Sequence, residues 1–312
     1  MEFYVKVLGS SSAIIQNKRG VTSHYVFYRG TGFLVDCGEG TQIQIRRFGV
    51  RMQKIEHIFI SHLHGDHFFG LIGLLSTYHL YGRQKELHLY AAEPLKEIIK
   101  IQLEASETIL NYPLIFHAIE DDFEGLLFEN NRLEVSTFKL VHQIPTHGFL
   151  FKEKPKPRRI NLDVVKEENI PERFLKGIKL GDDFVKDSGE ILKNVEITLP
   201  PLHSRSYAFC SDTGYNEKIL PWIKDVDLLY HETTYLNGDS PSERLKKYHS
   251  TATDAANIAL KANARRLLIG HFSSRYGDLV PFLNEAKRVF NNTLLAIDGN
   301  LYKVKALTNK PQ

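Results

Sequence analysis

A chain of 312 residues with 42% hydrophobic content can bury a large core, as one big domain or two small ones. Its formal charge of +3 is too mild to announce a nucleic-acid binder, so affinity for a polyanion must come from local patches. No segment combines the basic start and apolar stretch of an export signal, and no run approaches the ~20 apolar residues of a membrane span. Cys37 and Cys210 stand outside any CxxC spacing, which excludes a disulfide framework and a thiolate zinc site; the expected location is the cytoplasm, with no membrane association.

In chain order, Phe3 to Gly9 alternates and ends in glycine, and Thr22 to Tyr28 with Phe33 to Val35 reads as two further strands around a Gly turn. Ile55 to Ile60 is a buried strand, and the apolar spacing from Phe68 to Leu80 predicts a helix. From about Lys152 to Asn194 the character changes. Lys152, Lys154, Lys156, Arg158 and Arg159 interleave with Pro155 and Pro157, and mixed charges with glycines follow, which predicts an exposed, flexible inserted arm. Strand-like runs return at Tyr207 to Cys210, Leu228 to Tyr230 and Leu267 to Ile269, with a helical pattern from Ala252 to Lys261. Strands and helices intermix along the whole chain, which favours helices packed outside stacked sheets.

The turn between the fourth strand and its helix reads Ser61-His62-Leu63-His64-Gly65-Asp66-His67. Side chains two apart on an extended segment point the same way, so His62 and His64 can grip one ion while Asp66 and His67, turning into the helix, face a second. Gly65 is expected to permit the bend between them. Imidazole with carboxylate and no sulfur suits Zn²⁺ first, and Mn²⁺ or Fe²⁺ accept the same donors. Two coordination spheres need more ligands than this turn supplies. His142 after Val135 to Val141, Asp212 after Tyr207 to Cys210, and His271 after Leu267 to Gly270 each stand where a strand meets a loop. His57, His79, His88, His117 and His203 lack such a context and are expected to be structural or surface residues.

HLHGDH, Asp36 in VDCGEGTQ, His142, Asp212 in CSDT and His271 in GHFSSRY resemble the motif set of the metallo-β-lactamase superfamily. Within it, DCGEGTQ from Asp36, GHFSSRY from Gly270, and His231-Glu232-Thr233-Thr234 with His249-Ser250-Thr251 resemble the ribonuclease Z family, in matches running from Gly9 to about Tyr276. The resemblance implies an α/β fold, a single four-layer αββα sandwich over residues 1–312 with the arm inserted at 152–194, and a homodimer. It implies two Zn²⁺ per subunit, with His62, His64 and His142 on one, Asp66, His67 and His271 on the other, Asp212 between them, and Asp36 hydrogen-bonded behind a ligand.

The implied reaction removes the 3′ trailer from precursor transfer RNA through a metal-activated hydroxide, leaving a 3′-hydroxyl on the transfer RNA and a 5′-phosphate on the trailer. Asp66 would orient the water and accept its proton, and His249, held by Glu232, would protonate the departing oxygen. Arg19, Lys154, Lys156, Arg158, Arg159, Lys176 and Lys179 are the expected RNA contacts. Two segments depart from the family pattern. Ile170-Pro171-Glu172-Arg173-Phe174-Leu175-Lys176-Gly177 keeps IP and KG but loses the GP of the arm, and Ile15-Gln16-Asn17-Lys18-Arg19-Gly20 stands where PxKxRN is usual. A same-fold phosphodiesterase for small or cyclic phosphodiesters and a catalytically inactive RNA-binding subunit are the alternatives; filled ligand positions argue against the second.

Overall fold

A computed structural model of the chain describes residues 2–15, 19–238 and 248–305. Gln16, Asn17 and Lys18, the centre of the divergent N-terminal loop, lie outside the described residues.

The first sheet is built from β1 (Phe3–Gly9), β2 (Ser23–Tyr28), β3 (Thr31–Val35), β4 (Ile55–Phe59), β5 (Leu87–Ala92) and β6 (Leu114–Ile119). The second starts with β7 (Gly125–Glu129), β8 (Leu133–Lys139) and β9 (His147–Glu153). Four two-residue strands follow in an insertion: β10 (Arg159–Ile160), β11 (Phe184–Val185), β12 (Ile191–Leu192) and β13 (Thr198–Leu199). The second sheet then resumes with β14 (Ser206–Cys210), β15 (Leu228–Glu232), β16 (Leu267–Gly270) and β17 (Thr293–Leu295), and β18 (Leu301–Lys303) returns to the first. The orders are β18-β1-β2-β3-β4-β5-β6 and β17-β16-β15-β14-β9-β8-β7.

Alternation decides which face each side chain takes. On β1, Phe3, Val5 and Val7 enter the layer between the sheets, where Phe33, Phe59, Phe149, Phe151, Phe209 and Tyr230 meet them. Leu34, Ile58 and Leu89 point the other way, into a second core under helices Leu71–Leu80 and Pro94–Ala105. Ala208, Leu229 and Leu267 do the same on the second sheet, under helices Ala252–Lys261 and Val280–Lys287. Strands covered on both faces read as continuous apolar runs, and the expected αββα sandwich results.

The helix expected over Phe68 to Leu80 is two helices, Gly65–Phe68 and Leu71–Leu80. The break at Phe69-Gly70 lets the Asp36–Gln42 segment dock: Gly70 N–H donates to the Cys37 carbonyl at 2.9 Å, and a Cβ on Gly70 would fall 2.1 Å from the Gly38 oxygen. The strand expected up to Val141 stops at Lys139, because Val141 N–H goes instead to Thr213 Oγ1 at 3.1 Å.

The basic segment forms the crossover from β9 to β14 and runs past Asn194 to Arg205, since β13 pairs back on β10. Ile170, Ile178, Phe184 and Ile197 give it a small core of its own. At its root the chain closes on itself, with Lys152 opposite Ser206 and Glu153 paired to Arg205 at 2.7 Å. The early basic residues knit this root: Lys154 pairs with Glu129, Lys156 with Glu153 at 2.6 Å, Arg158 donates to Thr198 Oγ1 and Arg159 to the Pro200 carbonyl. Lys176 and Lys179 lie exposed on helix Leu175–Leu180. His57 is buried in a stack between Phe33 and His88, and burial pushes it down to about 3.

Candidate metal centre

The ends of β3, β4, β14, β15 and β16 open on one edge of the sandwich, together with the β8–β9 turn, and each delivers one part of the site. β4 runs out through Ser61 and His62, bends at Leu63 and His64, then turns into helix Gly65–Phe68 with Asp66 and His67 in its single turn. Gly65 does not take a positive φ, so the bend needs no glycine for that reason. A Cβ there would lie 2.2 Å from the Phe69 ring, which is mostly exposed and has room to swing aside.

Two donor sets form, His62, His64, His142 and Asp212 in one and Asp66, His67 and His271 in the other, and a third close group, Asp212, His249 and His271, overlaps both. In the first, His62 Nε2 and His142 Nε2 each lie 3.1 Å from His64 Nδ1 and 3.7 Å from Asp212 Oδ2. In the second, His67 Nε2 is 3.4 Å from Asp66 Oδ2, His271 Nε2 is 3.5 Å from the same oxygen, and both approach Asp212 Oδ1, at 3.3 and 3.1 Å. Asp212 thus offers one oxygen to each set. Nitrogen and oxygen donors about 2.0–2.1 Å from a tetrahedral cation are separated by roughly 3.3–3.4 Å, and these spacings scatter around that edge.

Hydrogen bonds behind the rings fix which nitrogen faces inward. Asp36 accepts from Ser61 N–H at 2.7 Å and from Ser61 Oγ at 2.9 Å, so the Ser61 oxygen is left to accept from His62 Nδ1 at 3.0 Å. His67 Nδ1 donates to Asp36 at 2.7 Å, and His142 Nδ1 to the Tyr248 carbonyl at 3.3 Å. Thr234 donates to Glu232 at 2.8 Å and accepts from His271 Nδ1 at 2.9 Å. Each of these four rings therefore spends its Nδ1 hydrogen outward and turns Nε2 inward. The Nε2 atoms of His67 and His271 are buried without a hydrogen bond among the described residues. Ring nitrogens converging on buried carboxylates require positive charge between them, from a proton or a cation, so the residues fit a divalent metal.

The charges agree. Burial works against ionising Asp212, but His271 and His67 hold its carboxyl well below the usual range, and His67 does the same for Asp66. Burial also opposes a charge on His67, yet Asp212, Asp66 and Asp36 hold it well above the usual imidazole range. Three carboxylates around one ring make a place for positive charge. Burial, reinforced by neighbouring imidazoles and opposed by Asp212, pulls His62 and His142 down, toward the neutral form that ligates.

Next to both sets stands His249, whose ring centroid is 5.1 Å from that of His142 and 5.6 Å from that of His271. Its Nδ1 donates to Glu232 Oε1 at 2.8 Å, and Glu232 is fixed further by Thr213, Thr234 and Ser250 N–H groups at 3.2, 2.8 and 3.0 Å. Burial opposes a charge on His249, but Glu232 outweighs it and the ring is raised to about 9. Thr251 caps helix Ala252–Lys261 with a reciprocal bond to Asp254, which sets the direction in which the His249 segment enters.

The structure brings His64, Asp66, His142, Asp212, His249 and His271 to the wall of one cleft of about 1040 Å³, with His62, His67, Asp36 and Glu232 buried behind them. Arg19 is turned elsewhere, donating to the Tyr276 carbonyl at 3.1 Å. Lys154, Lys156, Arg158, Arg159 and Lys179 gather at a second cleft, at the root of the insertion. Sequence reasoning missed Ser61, Thr234 and Ala13, whose N–H meets Asp66 Oδ2 at 2.8 Å. Four non-glycine residues at the site, Ala13, Asp36, Tyr248 and His271, hold left-handed backbone with φ of 57, 58, 51 and 60°. Such strain costs about 1–3 kcal/mol per residue and persists where surrounding structure enforces it.

Residues 3–154 match the family model described as anti-Pycsar protein Apyc1. The chain is 43% identical to ribonuclease Z of Bacteroides fragilis over 296 residues, covering 95% of this chain and 97% of that one. It is 45% identical to ribonuclease Z of Cytophaga hutchinsonii over 305 residues, 97% of each. Among solved structures it superposes on the short form of human tRNase Z (ELAC1) with a TM-score of 0.71 at 26% identity, covering 97% and 99% of the two chains. The metallo-β-lactamase fold protein YhfI of Bacillus subtilis, at TM-score 0.67 and 18% identity over 97% and 100%, shares the fold. With identity above 40% to relatives matched from end to end, on a sandwich of that same fold, the chain belongs to the ribonuclease Z family of metallo-β-lactamase-fold hydrolases.

Proposed function

We propose that the chain cuts the 3′ trailer from precursor transfer RNA by hydrolysing one phosphodiester. In this reading His62, His64, His142 and Asp212 hold one cation, and Asp66, His67, His271 and Asp212 a second. Two zinc ions per subunit suit the donors best, and Mn²⁺ or Fe²⁺ would accept them. When bound, the cations supply an activated water and positive charge against the attacked phosphate. Asp66 is committed to its donor set through Oδ2, and its other oxygen can take the water's proton. Asp36 keeps His67 in the required tautomer.

The observation that carries the reading is the Glu232–His249 pair beside the two donor sets. A ribose 3′-oxygen is a poor leaving group and departs only with a proton. His249, protonated and anchored through Nδ1, presents Nε2–H for that transfer. Departure leaves a 3′-hydroxyl on the transfer RNA and a phosphate on the 5′ end of the trailer.

The folded RNA would be gripped through its phosphates. Arg29, Arg132, Lys154, Lys156, Arg158 and Arg159 line a cleft of about 1020 Å³ at the root of the insertion, and Lys176 and Lys179 extend the positive surface outward. A homodimer accounts for apolar surface elsewhere: Phe69 and Ile43 are each 65% exposed, beside an apolar groove between helices Leu71–Leu80 and Pro94–Ala105. No helix of the described residues is long and apolar enough to cross a membrane, and the reading places the protein in the cytoplasm with its substrate.

The insertion provides the test. Because Glu153 and Arg205 are already hydrogen-bonded neighbours, replacing Lys154–Ser204 by Asn-Gly closes β9 onto β14 as a tight hairpin. Precursor cleavage is expected to fall roughly 100-fold or more through lost phosphate contacts. Hydrolysis of bis(p-nitrophenyl) phosphate should persist. Undiminished precursor cleavage would reject the RNA grip.

A further inference from the structure

The segment joining β1 to β2 supplies no side chain to either donor set, yet Ser12, Ala13 and Ile14 line the catalytic cleft. The Ala13 N–H reaches Asp66 Oδ2, the oxygen that faces both His67 and His271. This one amide therefore selects which carboxylate oxygen is presented to the second donor set. Ala13 makes the contact from left-handed backbone, a conformation that an isolated segment would abandon. Something must hold the segment in place.

Both of its ends are tied to a single side chain, Asp298, in the turn between β17 and β18. Ser10 Oγ donates to Oδ1 at 2.7 Å, and Gly20 N–H donates to Oδ2 at 2.7 Å, with Gln44 Nε2 joining at 3.3 Å. Bonds to a carboxylate of this length are the stronger kind. The turn is itself anchored, since Gly299 N–H donates to the Val7 carbonyl and Val7 N–H to that of Asn300. Ser12 N–H and the Phe272 carbonyl then stitch the segment to the residue after His271.

We infer that Asp298 is a positioning residue: by clamping both ends of the segment it holds the Ala13 amide on Asp66 and keeps the second donor set assembled. The inference rests on the reading that Asp66, His67, His271 and Asp212 hold a cation. It is tested on Asp298→Asn, which keeps the shape but only one good acceptor, and on Asp298→Ala, which keeps none.

Zinc is titrated into metal-free protein, and amide exchange is followed over residues 10–20. Both variants should exchange faster in that segment and bind one of the two zinc ions about 10- to 100-fold less tightly, with the other unchanged. At saturating zinc, kcat on bis(p-nitrophenyl) phosphate should fall while KM stays constant. Faster exchange with parental zinc affinity and kcat would reduce Asp298 to a loop anchor, and unchanged exchange would remove the clamp altogether. If Asp298→Ala fails to fold, Asp298→Asn decides alone. Parent protein that takes up only one zinc would overturn the donor-set reading and the clamp with it, a pattern distinct from variants that match a two-zinc parent.

Discussion

Asp212→Ala is expected to lower turnover of precursor transfer RNA by roughly 10⁴-fold or more, because the charge stabilisation a cation provides is worth several kcal/mol and each 1.36 kcal/mol is a factor of ten. Among the described residues it is the carboxylate shared by both donor sets, with Oδ2 toward His62 and His142 and Oδ1 toward His67 and His271. Its removal leaves neither set complete. It also strips buried His67 of the carboxylate that most favours its charge, so the metal-free variant should be less stable than the parent. Asp212→Asn separates the two effects. The amide keeps the volume and one oxygen but not the charge, and a folded Asp212→Asn protein that still binds metal poorly would show that the loss is electrostatic. Equilibrium dialysis against zinc, followed by elemental analysis, measures this directly. Full retention of two metal ions by either variant would remove Asp212 from the centre.

The second large effect concerns His249, and it depends on the leaving group. His249→Ala should slow precursor cleavage by about 10²- to 10⁴-fold, the usual range for a positioned general acid. Hydrolysis of bis(p-nitrophenyl) phosphate should change far less, since nitrophenolate departs without a proton. Metal content should be unaffected. The pH dependence follows from the sign of the shift. Glu232 outweighs burial and raises the ring to about 9, so His249 carries its proton through neutrality and loses it on the alkaline side. Cations in the neighbouring sets oppose that charge, which brings the loss below about pH 9. Precursor cleavage should therefore decline on the alkaline side in the parent, and that decline should vanish in His249→Ala. Glu232→Gln, which removes the anchor's charge, should move the decline to lower pH. Equal losses on both substrates would assign His249 to binding rather than to proton transfer.

How much of this was legible beforehand depended on whether side-chain identity or backbone geometry carried the function. His62, His64, Asp66 and His67 could be read because their spacing alone places them on one turn. His142, Asp212 and His271 could be read because apolar runs end just before them, and for Asp212 and His271 those runs are parallel strands covered on both faces that open their ends at one edge. The helix Ala252–Lys261 carries its own cap and apolar stripe, so its bounds agree. Ala13 was invisible because its contribution is an amide, which every residue but proline owns. Thr234 and Ser61 were invisible because a hydroxyl relaying one hydrogen bond has no spacing signature. The break at Phe69-Gly70 depends on the distant Cys37-Gly38 backbone, which local periodicity does not contain. Lys154, Lys156, Arg158 and Arg159 read as part of an exposed basic arm, and each also has a partner at the root of the insertion that charge spacing does not show.

The most direct test is to incubate the zinc-loaded protein with a precursor transfer RNA and determine both ends of the cut. A single cleavage at the trailer junction, giving a 3′-hydroxyl on one product and a 5′-phosphate on the other, is the result expected from a water activated at the paired donor sets with His249 protonating the departing oxygen. Intact RNA in the presence of bound metal, or a 2′,3′-cyclic phosphate at the cut, would contradict it.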